Sequence, residues 1–327
     1  MRICIFGAGA IGGSLAARFH KAGTTPALVV RGPHLAAIKA KGLTVRDADG
    51  SETRFAAEAS DDPHDLGPQD LVVVTAKAPA LPAIGRAIAP LLGPETAVLF
   101  VMNGIPWWYF QNHGGPHDDR RLPKLDPDDG LRRAIDPARI LGGVIYCACT
   151  VESPGVVQVS SPVNRVILGE PNGQVTPRAQ AVAKLLADGG MDTVATPKIR
   201  DAIWTKLVAN FSSGTLSVAT QSSMKAFYAE EACREATRRI VAEGKAVAAA
   251  MGCTVTTSAE ELLARLAPSA HKPSILQDLE LGRAMEVDGV YTVPLELARL
   301  AKVETPTLDL LITLLRLRAE AAGLYKP

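Results

Sequence analysis

The first thirteen residues constrain the fold of this chain more than any other stretch. An apolar run, Ile3 to Phe6, leads into Gly7-Ala8-Gly9-Ala10-Ile11-Gly12, and helical spacing of Leu15, Ala16 and Phe19 follows at once. A G-x-G-x-x-G hexad between a strand and a helix is the fingerprint of a dinucleotide-binding turn, whereas glycines alone would be a weak signal. Gly7 permits the tight turn out of the strand, Gly9 lets backbone approach a pyrophosphate, and Gly12 lets helix and strand pack closely. The free N–H groups of the helix start, with Ala8, Ala10 and Ile11 between the glycines, complete an anion cradle. The competing reading is a glycine-rich turn that binds nothing, and the flanking strand and helix weigh against it.

Charge selects the dinucleotide. In such folds an Asp or Glu about 20 residues downstream holds the ribose hydroxyls of NAD, whereas Arg there suits the 2′-phosphate of NADP. The second strand, Ala27-Leu28-Val29-Val30, ends in Arg31, and no Asp or Glu precedes Asp47. Arg18, Lys21, Arg31, Lys39 and Lys41 leave this first unit basic. The expected cofactor is NADP, used as NADPH, with Arg31 on the extra phosphate. The bland reading of Arg31 is a solvated cation at a strand end.

A chain of 327 residues suggests roughly two domains. Its net charge of +1 gives no electrostatic case for nucleic acid or an anionic membrane. Hydrophobic residues make up 47% of the chain but are interrupted throughout by charge and Pro, so no run is long enough to span a bilayer. The N-terminus reads as a buried strand rather than a secretory leader. Five scattered cysteines lack zinc spacing, and Cys147-x-Cys149 reads as strand packing. These features favour a reducing, cytoplasmic setting and no metal.

Strand and helix patterns alternate as far as Val101. Leu35 to Lys41 reads as helix, and Leu43 to Val45 with Thr53 to Phe55 reads as a hairpin around Asp49-Gly50. Asp70 to Thr75 is a buried strand, helical Leu81 to Leu92 follows, and Ala97 to Val101 is the next strand. Such alternation argues for an α/β fold with a parallel, doubly wound sheet, whose ligands sit at the carboxyl ends of the strands. Two of those ends carry Lys77 and Asn103. Between Ile105 and Ile140 the composition changes: Pro106-Trp107-Trp108-Tyr109-Phe110 precedes a Gly-, Pro- and charge-rich stretch. Long loops of this kind are usually functional or disordered, and this one is expected to form a partial lid over the active site.

Further strands (Ile140 to Val151, Val156 to Ser160, Arg165 to Leu168), a helix from Pro177 to Ala187 and a strand from Asp192 to Ala195 complete the first domain. Pro197 marks the boundary, giving a Rossmann-like domain over residues 1–196 and an all-α domain over 197–327. In the first helix of the second domain Ile199, Ile203, Trp204, Leu207, Val208 and Phe211 recur at helical spacing as a buried face. Lys206 and Asn210, four residues apart, share a neighbouring face continued by Ser213, Gly214 and Ser217. A Lys-Asn-Ser stripe on a rigid helix offers a proton donor and hydrogen-bonding groups, although most such stripes are simply solvated.

Taken together the motifs resemble the ketopantoate reductase (2-dehydropantoate 2-reductase) family. The matching pieces are Gly7-x-Gly9-x-x-Gly12, Arg31, Thr75-Ala76-Lys77, Asn103-Gly104, Trp204-x-Lys206-Leu-x-x-Asn210, Ser274-Ile-Leu-Gln-Asp278 and Gly282-Arg-x-x-Glu286-Val-Asp288, in the family's order. The resemblance implies a Rossmann domain and a helical domain with the active site in the cleft between them, and a small 2-keto acid as substrate. It gives Lys206 the role of the lysine that protonates the substrate ketone, and Glu286 that of the carboxylate that orients lysine and substrate hydroxyl. It places Lys77 and Asn103 by the nicotinamide and carbonyl, with Asn103, Asn210 and Ser274 lining the substrate site. Periodicity alone does not pair Ser274 with Glu286, because twelve residues on a straight helix leave them roughly 120° apart.

The chain also departs from the family. Where the family has a second Asn four residues after the first, this chain has Gly214, and the aromatic insertion after Asn103-Gly104 is longer than in compact members. Both changes suggest a differently shaped acyl pocket, with more room. The first expectation is NADPH-dependent reduction of 2-dehydropantoate to pantoate. A dehydrogenase of a bulkier hydroxy acid and a dinucleotide-binding sensor without turnover are the alternatives. The apolar run Leu308 to Leu317 packs either within the helical domain or between the subunits of a homodimer.

Overall fold

The computed structural model describes residues 1–327 throughout. Its contacts divide the chain into two compact units, Met1–Met102 with Pro106–Ile199 and Asn103–Ile105 with Arg200–Pro327. The first unit runs β1 (Ile3–Phe6), α1 (Ala10–Lys21), β2 (Ala27–Val29), α2 (Gly32–Lys41), β3 (Leu43–Arg46), β4 (Glu52–Phe55), β5 (Ala59–Ser60), β6 (Gln69–Val74), α3 (Leu81–Ala87) and β7 (Leu92–Val101). It continues with α4 (Gly130–Ala134), β8 (Ile140–Ser153), β9 (Val156–Gly169), α5 (Pro177–Asp188) and β10 (Asp192–Ala195).

The strands form one ten-stranded sheet in the order β4-β3-β9-β8-β7-β6-β1-β2-β5, with β10 also paired to β9. The β5-β2-β1-β6-β7-β8 half is parallel, as alternating strands and helices require. The other half adds antiparallel pairs to that parallel core. β8 and β9 pair antiparallel over most of their length, and β3 and β4 form the antiparallel hairpin anticipated around Asp49-Gly50. The reason is connection length: only Pro154 and Gly155 separate β8 from β9, too few residues for a parallel crossover. Ile5, Leu15, Leu28, Val73, Leu99, Leu141 and Val166 are among the core residues beneath this sheet, and Cys147 and Cys149 pack against them.

The Ile105–Ile140 stretch differs most from expectation. Trp108 is 1% exposed, and Trp107, Tyr109, Phe110, Leu122, Leu125, Leu131 and Ile135 are also buried. Trp107 meets Phe100 of β7 edge-on with ring centroids 5.6 Å apart. A Cβ on Gly142 of β8 would come within 2.6 Å of the Trp108 ring, so the strand is bare where the indole lies on it. The aromatic residues are thus core of the first unit and anchor the insertion there. Burial of four large aromatic side chains stabilises that anchoring by several kcal/mol, on the order of 2 kcal/mol each.

The second unit is helical: α6 (Ile199–Thr220), α7 (Met224–Phe227), α8 (Glu231–Ala250), α9 (Ala259–Leu266), α10 (Ser274–Glu280), a π-helical turn over Asp288–Thr292, α11 (Val293–Leu300) and α12 (Pro306–Ala321). On α6 the anticipated face is buried from Ile199 through Ile203, Trp204, Leu207 and Val208 to Phe211. α8 approaches it closely at Gly244, where a Cβ would stand 3.0 Å from Val208. No helix is long and apolar enough to cross a membrane.

Candidate active site

In the first unit the glycine hexad adopts the geometry that its three positions require. Gly7 has φ +98°, and a Cβ there would strike the Ala76 backbone nitrogen at 2.9 Å. A Cβ on Gly12 would stand 2.6 Å from both the Gly7 carbonyl and Thr75 Oγ1, where that hydroxyl donates to the Gly7 carbonyl over 2.8 Å. Gly9 is different: the nearest atom to a Cβ there is the Gly7 carbonyl at 3.9 Å. Two glycines are therefore demanded by the fold and the middle one is not, so Gly9 leaves a bare surface open to a ligand. The first residues of α1 have no carbonyl a turn behind them, and its first turn carries no acidic residue. This cradle fits a dinucleotide pyrophosphate.

Arg31 is the exposed N-cap residue of α2, just beyond β2. Arg18 and Lys21 share the carboxylate of Asp47, which offsets one of their two charges and leaves the first unit basic with Arg31, Lys39 and Lys41. Asp47 is thereby tied to the last turn of α1. His34, a turn into α2, accepts a 2.8 Å hydrogen bond at Nδ1 from the Gly155 N–H, which fixes the proton of the neutral ring on Nε2. Burial lowers its pKa, opposed in part by a hydrogen bond to the Ala8 backbone in the glycine turn. Sequence reading passed over His34 because one histidine near a helix start carries no periodic signal. Lys77 stands at the carboxyl end of β6 as the residue before a short 3-10 turn.

In the second unit a pocket enclosing about 350 Å³, mouth included, is lined by Asn103, Asn210, Ser213, Gly214, Ser274, Glu286 and Tyr291, with Pro273, Ile275, Asp278 and Val290. Four of the residues singled out in the sequence (Asn103, Asn210, Ser274 and Glu286) come from three distant stretches and meet here. Asn103 is delivered by a short crossing segment: the Ile105 N–H donates to the Gly289 carbonyl over 2.7 Å, and Gly104, at φ +83°, lies too close to Gly289 for any side chain. Asn210 projects from α6, with the half-buried Lys206 one turn before it. Lys206 is not among the lining residues.

The Ser274–Glu286 pairing that a straight helix could not provide comes from a break. α10 starts at Ser274 and ends at Glu280, and the chain turns at Gly282, where φ is +62°. Asp278, 2% exposed, is held by Arg283 Nε at 3.0 Å across that turn. Beyond it the π-helical turn seats Tyr291, whose phenol is raised in pKa by burial and then by the charge of Glu286, so it stays protonated. Sequence reading missed Tyr291 because one extra residue per turn shifts it off the helical face that ordinary spacing assigns.

Comparison with known proteins bears directly on these two units. The family Ketopantoate reductase PanE/ApbA matches residues 3–173, and Ketopantoate reductase PanE/ApbA C terminal matches residues 198–319. A 2-dehydropantoate 2-reductase of Mesorhizobium japonicum is 38% identical over 327 residues, covering 99% of this chain and all of the relative. Among solved structures, a candidate ketopantoate reductase from Ralstonia solanacearum MolK2 has a TM-score of 0.92 at 36% identity, covering 99% of each chain. The 2-dehydropantoate 2-reductase from Geobacter metallireducens GS-15 has a TM-score of 0.83 at 26% identity, covering 96% of this chain and 99% of that one. The class is thus an oxidoreductase that acts on a CH–OH group. Within that class, the chain belongs to the ketopantoate reductase family.

Proposed function

We propose that the protein reduces the ketone of a 2-keto acid with NADPH, and that its substrate is 2-dehydropantoate, reduced to pantoate. In this reading residues 1–196 hold the cofactor and residues 197–327 recognise the substrate. The observation that carries it is the pocket itself: Asn103, Asn210, Ser274 and Glu286, picked out by motif, line one space beside the helix that bears Lys206. Gly9 and the start of α1 hold the pyrophosphate, Arg31 faces the 2′-phosphate, and Lys77 with Asn103 lines the nicotinamide end.

NADPH, when bound, supplies the hydride. As negative charge grows on the carbonyl oxygen, the Lys206 ammonium stabilises it and delivers the proton, so the ketone gains one hydride and one proton. Glu286 keeps that ammonium charged and aimed, and Asn210 and Ser274 orient the acid by neutral hydrogen bonds. The test is NADPH consumption by the purified protein with 2-dehydropantoate, set against larger 2-keto acids and against NADH. The expected result is turnover of 2-dehydropantoate with kcat/KM at least tenfold above any larger acid, and a preference for NADPH. Turnover restricted to a larger acid would reassign the substrate, and NADPH binding without turnover of any acid would overturn the reading.

A further inference from the structure

Gly214 leaves α6 without a side chain where that helix lines the pocket, which by itself would widen it. The structure shows the space already taken. A Cβ on Gly214 would collide with the Tyr291 hydroxyl, and would also stand 3.1 Å from Tyr291 Cζ and 3.2 Å from Ile275 Cγ2. Tyr291 is 2% exposed, its ring lies 6.4 Å from that of Phe211, and both Gly214 and Tyr291 line the pocket with Asn210 and Glu286. A phenol from the π-helical turn has therefore moved into the volume that a side chain on α6 would otherwise fill. The pocket is differently shaped at Gly214, but the room a missing side chain would leave there is filled.

We propose that Tyr291, seated in the space left by Gly214, is a specificity-determining residue that reads a hydroxyl on the acyl chain of the substrate. The inference rests on the 2-keto acid reductase reading above. Charge decides which end of the acid faces it. Glu286 lines the same pocket, so the substrate carboxylate is disfavoured beside Tyr291, whereas a neutral hydroxyl both donates to and accepts from a protonated phenol. A buried hydroxyl of this kind also rejects an analogue that lacks its partner, because the phenol is then left unpaired.

The test compares 2-dehydropantoate with 3,3-dimethyl-2-oxobutanoate, which has the same carbon skeleton without the hydroxyl. Tyr291→Phe keeps the ring on Phe211 and removes one oxygen, and its thermal midpoint reports folding. The ratio of kcat/KM values for the two acids is expected to fall about tenfold in Tyr291→Phe, chiefly through the KM for 2-dehydropantoate, the effect of one neutral hydrogen bond. Gly214→Asn is expected to lose turnover through collision, and Gly214→Asn with Tyr291→Ala to regain part of it. An unchanged ratio in Tyr291→Phe, with the unaltered enzyme active, would overturn this inference alone. Failure of the unaltered enzyme to turn over either acid would overturn the reading of the site and this inference with it.

Discussion

The three glycines of the hexad do unequal physical work, and that inequality can be measured. Gly12→Ala would drive a methyl into the Gly7 carbonyl and Thr75 Oγ1, both 2.6 Å from the Cβ position, so β1 and α1 would have to separate. Overpacking of this kind costs about 1–3 kcal/mol, and the thermal midpoint should fall by several degrees. Gly9→Ala meets only an atom 3.9 Å away, so its midpoint should stay within about a degree while affinity for NADPH falls at least tenfold. Calorimetric titration beside thermal unfolding separates the two effects. Equal losses of stability in both variants would mean that Gly9 serves the fold and not a ligand. The same scale exposes what sequence could not reveal. Gly214 reads as absence until Tyr291 is seen to occupy its space, and Arg18 and Lys21 read as free cations until Asp47 is seen between them. Both facts depend on contacts between residues far apart in the chain, which periodicity does not encode.

Among the elements, those built from local signals were legible. The strand-turn-helix from Ile3 to Lys21 and the buried face of α6 follow from apolar spacing. The β3–β4 hairpin follows from Asp49-Gly50. The antiparallel β8–β9 pair was less legible, since two long strands with mixed faces announce themselves as strands but not their direction. The anchoring of the aromatic insertion was only partly legible for a related reason: Pro-, Gly- and Asp-rich composition reads as loop, while its rings are buried in the first unit. Trp108→Ala should therefore destabilise the protein by about 3–5 kcal/mol, seen as a lower midpoint in urea with an unchanged slope. A Trp108→Ala protein as stable as the unaltered one would contradict the placing of this ring in the core. The Ser274–Glu286 juxtaposition needed the stop at Glu280, the turn at Gly282 and the π-helical turn, three breaks that no regular helix template contains.

Across the whole molecule, the order of the motifs carried more than any one of them. The two family matches, residues 3–173 and 198–319, span most of both compact units. A net charge of +1 over 327 residues leaves function to reside in local sites rather than in the field of the whole chain. The central claim is that Lys206 is the proton donor for ketone reduction at a pocket built from Asn103, Asn210, Ser274 and Glu286. The most direct measurement is kcat for 2-dehydropantoate in Lys206→Ala against the unaltered enzyme, with NADPH affinity measured on both. Loss of kcat by about a hundredfold to ten-thousandfold with NADPH affinity within about twofold is the predicted result, the size of a lost general acid. A Lys206→Ala enzyme that turns over 2-dehydropantoate at the unaltered rate would contradict the account.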